Sequence, residues 1–333
     1  MSVLDNEVNK VNGRVAAASG REEGRPSRQI NIVLRNQEAP AVNNAAADSL
    51  VQAIPSKNHG HSGLFQELSK ELDALVGLEN IKELVFEIYA LLQVAQMRSE
   101  AGLACGSQAY HMVFKGNPGT GKTTVARIVA KLFQRMGVLS KGHLIEVERA
   151  DLVGEYIGHT AQKTRDLVKK ALGGILFIDE AYSLARGGDK DFGKEAIDTL
   201  VKSMEDHRSQ FVLILAGYSS EIDYFLMSNP GLPSRFPIQV EFPDYTIDQL
   251  LQIAELMAKE RDYILMPQAI LKLKQHLLME KTESLHAFSN ARYVRNSIEK
   301  ALRSQAVRLL NQYESTSPGK QELMTLRTED FKL

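Results

Sequence analysis

The sequence has little that would tie it to an oxidising compartment, a membrane or a metal. One cysteine, Cys105, among 333 residues excludes an intramolecular disulfide and cannot by itself supply a structural zinc site. No neighbouring charge would activate its thiol, so it reads as a small packed residue. An excess of one charge is also missing. Forty Lys and Arg against 41 Asp and Glu leave a formal net charge of -1, which gives no global attraction to phosphate backbones or anionic lipids. A nucleic-acid partner is therefore not expected. No stretch approaches the roughly 18 to 20 consecutive apolar residues of a spanning helix. The first residues, MSVLDNEVNKVNGR, lack an apolar signal core. The chain thus reads as a cytoplasmic protein without membrane insertion. Its eight histidines show neither HExxH nor any paired-ligand spacing, which leaves no transition-metal site to argue for.

What is present, 44% hydrophobic and 24% charged residues, matches a globular protein with substantial cores. Three regions follow from the pattern. Residues 1–63 are rich in Asn, Ala, Ser, Gly and charge, with one strand-like island at Ile30–Leu34; they bury too little apolar area to offset ordering and read as a flexible arm. Such an arm either solubilises the chain or docks a partner. Residues 64–243 open with helical spacing (Leu64, Phe65, Leu68, Leu72, Leu75, then Ile81 to Leu92) broken at Val76-Gly77-Leu78. They continue as short apolar runs (HMVFK, HLIEVE, ILFID, FVLILA, IQVEF) alternating with amphipathic stretches, the signature of a parallel α/β sheet covered by helices on both faces. After Pro243-Asp244-Tyr245 the strand signal stops, and three helical patterns predict an all-helical domain over 244–333.

Gly116-Asn117-Pro118-Gly119-Thr120-Gly121-Lys122-Thr123, followed by Thr124, fits GxxxxGK[ST] between an apolar strand and a helical run. Its glycines permit a turn whose N–H groups form an anion nest at a helix N-terminus. Lys122 can then reach the β and γ phosphates of ATP, and Thr123 offers a ligand to Mg2+. Ile175 to Ile178 form a strand buried on both faces, and Asp179 and Glu180 fall at its C-terminal end, where open α/β sheets bind ligands. Asp179 is expected to hold Mg2+ directly or through water, and Glu180 to polarise the attacking water. Together the two motifs read as an NTP hydrolase of the P-loop type.

From about Leu64 onward the residues resemble the AAA+ ATPases. The runs LVGEYIGHTAQKT, GGILFIDEAYSLARGG, NPGLPSRF and FSNARYVRN resemble, within that class, the family containing stage V sporulation protein K and red-type rubisco activase. The resemblance implies a P-loop sheet sandwiched by helices, with a small helical lid closing over the nucleotide. It implies that Val76, Gly77 and Leu78 line the base, that Arg235 is an arginine finger given to the neighbouring subunit, and that Arg292 is the lid arginine that senses nucleotide, a task Arg295 could share. It implies that Tyr156-Ile157-Gly158 is an aromatic pore loop, and that the glycine-rich loop from Arg186 to Gly193 is a second channel segment. Where relatives carry a polar sensor at the end of the fourth strand this chain has Gly217-Tyr218-Ser219, so Tyr218, Ser219 or neither fills that role. The expected assembly is a homo-oligomer, a hexameric ring, acting on a protein client in endospore formation. The alternatives are an activase-like metabolic chaperone and a nucleic-acid loader.

Overall fold

The computed structural model describes residues 67, 69–104, 106, 108–156, 158–186, 192–283, 288–313 and 316–332, all within the compact unit Lys57–Leu333. The arm, the Ile30–Leu34 island, Leu64, Phe65, Leu68, Cys105, Ile157 and most of the loop after Arg186 lie outside the described residues.

Each of the five apolar runs between His111 and Phe242 contains a strand. β1 (Met112–Gly116), β2 (Leu144–Val147), β3 (Ile175–Ile178), β4 (Val212–Gly217) and β5 (Ile238–Phe242) form one sheet in the order β2-β3-β4-β1-β5, with every pairing parallel. Parallel neighbours need long crossovers, and helices supply them. α1 (Glu79–Glu100) leads into β1 and α2 (Lys122–Arg135) leaves it; α3 (Arg149–Leu152) and α4 (His159–Ala171) join β2 to β3. A 3₁₀ turn (Ala181–Ala185) and α5 (Gly193–Asp206) join β3 to β4, and α6 (Ser219–Ser228) and α7 (Leu232–Arg235) join β4 to β5.

Side-chain alternation splits the interior into two cores. Met112, Phe114, Ile175, Phe177, Val212, Ile214 and Ala216 face one side with α1 and α2, while Val113, Leu176, Ile178, Leu213 and Leu215 face α4, α5 and α6. Burial on both faces explains why these strands read as continuous apolar runs. Each fully buried Phe or Leu contributes about 1.5–3 kcal/mol.

Beyond β5 lie α8 (Ile247–Lys259), α9 (Pro267–Glu283), α10 (Asn290–Gln312) and the short α11 (Lys320–Met324). A capping box opens α8: Gln249 N donates to Thr246 Oγ1 at 3.2 Å, and Thr246 N donates to Gln249 Oε1 at 2.8 Å. The expected helical domain also contains a parallel pair of two-residue strands, β6 (Ile264–Leu265) and β7 (Thr325–Leu326), too short to leave an apolar run in the sequence. Asp330, 1% exposed, ties down the chain's end: Arg308 donates to it from Nε at 2.8 Å and Nη2 at 3.0 Å, and Arg327 N at 2.8 Å. Leu250, Ala254, Leu273, Val294 and Ile298 of these helices belong to the same connected core as Ile81 of α1 and Phe114 of β1. The helical part thus shares a continuous core with that side of the sheet and meets the loop at the end of β1, where Ala291 N donates to Gly119 O.

Candidate active site

The glycine spacing of the loop after β1 has steric causes. Gly116 (φ 145°) lies where a Cβ would overlap the Phe242 carbonyl, and Gly119 (φ 73°) where one would overlap the Ser289 carbonyl at the foot of α10. Gly121 (φ 98°) takes the left-handed turn that starts α2. Thr120 is fully buried and donates from Oγ1 to Asn117 O at 2.8 Å, so it shapes the loop from inside. Lys122 Nζ donates to Gly116 O and Asn117 O, both at 2.8 Å. Burial pushes its ammonium down to about 8; Asp179 opposes that shift, Arg292 adds to it and Asp244 opposes it.

A cleft of about 660 Å³ opens above the C-terminal ends of β1, β3 and β4. It gathers Pro118, Gly119, Gly121, Lys122, Thr123 and Thr124 from the loop, Asp179 and Glu180 from the end of β3, and Arg292 and Arg295 from α10. Its other wall is apolar, with Val76 and Leu78 before and at the start of α1 and Ile253, Leu256 and Met257 on α8. One end suits a flat aromatic ring and the other a polyanion. Gly77 is not on the wall: at φ 64° it turns the chain behind it, where a Cβ would lie 2.5 Å from Gln249 Nε2.

Glu180 has φ 47° and ψ 44°, a left-handed conformation costing about 1–2 kcal/mol for a residue with a Cβ. Its backbone N–H donates to Asp179 Oδ1 at 3.0 Å. Non-glycine strain of this kind collects at functional positions. Between the ends of β1 and β3 lies the end of β4, and there Tyr218 lines the cleft whereas Ser219 Oγ donates to Glu241 Oε2 at 3.0 Å. Among the described residues no group of three or more His, Cys, Asp or Glu side chains could hold a metal. A hydroxyl and one carboxylate facing the same cleft, Thr123 and Asp179, nonetheless fit Mg2+, which takes most of its ligands at phosphate sites from water and phosphate.

Three expected site residues stand elsewhere. Tyr156 is 65% exposed and not part of the core. Its ring meets the His159 ring edge-on at 5.3 Å between centroids. It lines a second, wider groove of about 1090 Å³, which also reaches Asp179, Glu180 and Arg292. Gly158 (φ 82°) starts α4 beside it. Arg235, at the end of α7, lines neither hollow; it donates from Nη1 to Gly231 O at 2.7 Å and pairs through Nη2 with Glu205 of α5.

A relative from Bacillus subtilis (strain 168), stage V sporulation protein K, is 60% identical over 308 residues, covering 92% of this chain and 94% of that protein. The model of the ATPase family associated with various cellular activities (AAA) matches residues 112–244, and that of the AAA lid domain matches 246–333. The chain belongs to the AAA ATPase family. The chloroplastic ribulose bisphosphate carboxylase/oxygenase activase of Cyanidioschyzon merolae is 46% identical over 272 residues, covering 80% of this AAA chain and 90% of its own. Among solved structures, the Thermotoga maritima RuvB Holliday junction branch migration motor superposes with a TM-score of 0.50 at 20% identity, covering 77% of this chain and 67% of that one, and shares the AAA fold.

Sequence reasoning passed over several residues of this AAA site. Tyr245, used only as a boundary marker, is buried; its hydroxyl, which burial pushes up to about 12, donates to Thr120 O at 3.2 Å. Asp244 and Asn290 meet beneath the loop, at 2.8 Å from Asn290 Nδ2 to Asp244 Oδ1. The available signal was their place: Asp244 beside the end of the last long strand, Asn290 just before Ala291-Arg292.

Proposed function

We propose that this AAA protein hydrolyses ATP in a cytoplasmic homo-oligomeric ring, hexameric in form, and uses the cycle to remodel a protein client during endospore formation. One observation carries the reading. The phosphate cleft and the groove under exposed Tyr156 share Asp179, Glu180 and Arg292, while Arg235 lies outside both.

In this reading the purine lies against Val76, Leu78 and the α8 wall, with Gly77 shaping the turn. The loop N–H groups and Lys122 Nζ bind the phosphates. Thr123 and Asp179 hold Mg2+, which when bound neutralises charge on the phosphate oxygens. Glu180 orients the attacking water and accepts its proton. Arg235 leaves Glu205 to reach the γ phosphate of the adjacent subunit, where it stabilises charge developing on the transferred group. Arg292, on the first turn of α10, ties the lid to the same phosphates, and Tyr218 is the polar group at the end of β4. Motion of the shared wall shifts Tyr156, and an exposed aromatic flanked by Gly154 and Gly158 can grip any extended polypeptide.

The stronger identity with the sporulation relative favours that process. The activase likeness supports a second reading, in which the client is an inhibited metabolic enzyme. The RuvB likeness carries no function, and the groove mixes Glu148, Glu155 and Asp166 with Arg149 and Lys163, unlike the basic track of a nucleic-acid loader.

Two measurements test the proposal. Tyr156→Ala should keep basal ATP turnover and lose client remodelling; retained remodelling overturns the threading role. Arg235→Ala should be inactive alone and partly rescued when mixed with Lys122→Ala subunits that carry an intact Arg235. Failure of rescue at every ratio overturns donation between subunits.

A further inference from the structure

The lid and the phosphate loop are joined by a polar node whose centre, Asn290, is buried, while its outer members, half-buried Asn117 and exposed Asp244, reach solvent. Asn290, the first residue of α10, is fully buried and holds φ 45°, a left-handed conformation. Its Oδ1 accepts from Tyr245 N at 3.0 Å. Its Nδ2 donates to Asp244 Oδ1 at 2.8 Å and Phe288 O at 2.9 Å, and lies 3.4 Å from Pro118 O of the phosphate loop. Asp244 in turn accepts from Asn117 Nδ2 of that loop at 2.9 and 3.0 Å. Backbone closes the same seam: Ala291 N donates to Gly119 O at 3.2 Å.

The carboxamide therefore spends both its donor and acceptor capacity on three segments: the phosphate loop, the β5–α8 connection and the start of the lid helix. Asn290 is the desolvated member, so separating it from its partners strands a buried carboxamide, whereas Asp244 and Asn117 can turn to water. Gly119 already touches the chain around Ser289 and Arg292 so closely that a Cβ would not fit. Two residues beyond Asn290, Arg292 faces the cleft.

We propose that Asn290 is a positioning residue that locks the start of the lid helix to the phosphate loop, so that nucleotide held by the loop sets the position of Arg292 and of the lid. The inference rests on the cleft binding ATP. It differs from the role of Arg292 in that Asn290 acts on the loop backbone and on Asp244 and contacts no phosphate. A carboxamide is required because one group must donate to a carboxylate and accept from a backbone N–H at once.

The test uses the full chain and a non-hydrolysable ATP analogue with Mg2+, and reads hydrogen exchange of the first amides of α10 together with analogue affinity. In the unaltered protein the analogue is expected to slow exchange there by about tenfold or more. Asn290→Gly keeps the left-handed turn and should fold, yet the analogue-dependent gain should fall below about twofold while amides within α9 stay protected. Asn290→Asp sets two carboxylates together and should lose the gain as well. Adding Asp244→Asn to it restores a donor–acceptor pair and should recover about half of the gain. A gain left intact in Asn290→Gly overturns the proposal, as does a double variant no better than Asn290→Asp. If Asn290→Asp does not fold, the glycine variant decides alone. Failure of the unaltered protein to bind the analogue overturns the nucleotide reading itself, and the positioning role with it.

Discussion

The affinity for ATP should fall above pH 8, and Lys122 sets both the direction and the size. Burial is the main cause of its shift from 10.5 to about 8. For a base, a lowered value means that the neutral form is favoured once pH rises past it. The loop carbonyls of Gly116 and Asn117 that hold Nζ keep the group at the place where phosphate oxygens would compete for it. Only the ammonium form attracts those oxygens, so binding is linked to proton uptake above about pH 8. With a value of about 8, the free site is roughly nine-tenths charged at about pH 7 and one-tenth charged at about pH 9, a loss of about tenfold in affinity or 1.4 kcal/mol. The phosphate groups of the ligand finish ionising below that window and add no slope of their own. The assay is a titration with a fluorescent, non-hydrolysable ATP analogue at fixed free Mg2+ and ionic strength. Lys122→Arg, charged throughout, should bind with a flat profile whatever its absolute affinity. Asp179→Asn removes the charge that opposes the shift, so the fall should begin at lower pH. A flat profile for the unaltered protein, or an equal slope in Lys122→Arg, would refute the reasoning.

Three further outcomes are expected. His111 is buried between Phe211 and Phe236 and accepts from Leu213 N through Nδ1 at 3.0 Å; burial, with Arg208 adding, lowers it from 6.5 to about 4. Its neutral form therefore supports the fold fully above 6.5, and that support is lost as pH falls toward 4, at most about 3 kcal/mol, so urea midpoints should drop across that window and much less in His111→Gln. Glu180→Gly relieves the left-handed strain and should raise stability by about 0.5–1 kcal/mol while ending turnover, as Glu180→Gln ends turnover without the stability gain; a glycine variant that hydrolyses ATP removes Glu180 from the chemistry. Asp330→Ala removes both short bonds to Arg308, leaving it Glu329 at 3.4 Å and Glu322 at 3.9 Å, and strands Arg327 N; it should cost about 1–3 kcal/mol, read as a lower melting temperature with early proteolysis at the C-terminal segment, and an unchanged melting curve refutes the clasp.

Much of the fold was legible because its signals are local. Five apolar runs separated by amphipathic stretches can be satisfied only by a parallel sheet with two covered faces, and β1 to β5 form where those runs lie. The tight turn after β1 was legible because its backbone needs glycines at fixed spacing, and Gly116, Gly119 and Gly121 all adopt φ angles that other residues avoid. Pairing of two-residue strands was not legible, since β6 and β7 depend on Gln305, whose Nε2 donates to the carbonyls of Glu322, Leu323 and Thr325 at 3.3, 2.9 and 3.0 Å, to hold the distant end in place.

The division between the two kinds of information follows from range. By itself the sequence determined the layered α/β architecture, the helical lid, the glycine turns of the loop after β1 and the place of the acidic pair at the end of β3, because each rests on spacing within one short segment. Tertiary structure alone decided which of Tyr218 and Ser219 faces the cleft, that Tyr156 stands in solvent, that Arg235 rests on Glu205, and that Asn117 and Asp244 are linked by hydrogen bonds to the buried Asn290. Those facts depend on contacts between residues far apart in the chain, and the direction of a polar side chain is fixed only when its distant partner is in place.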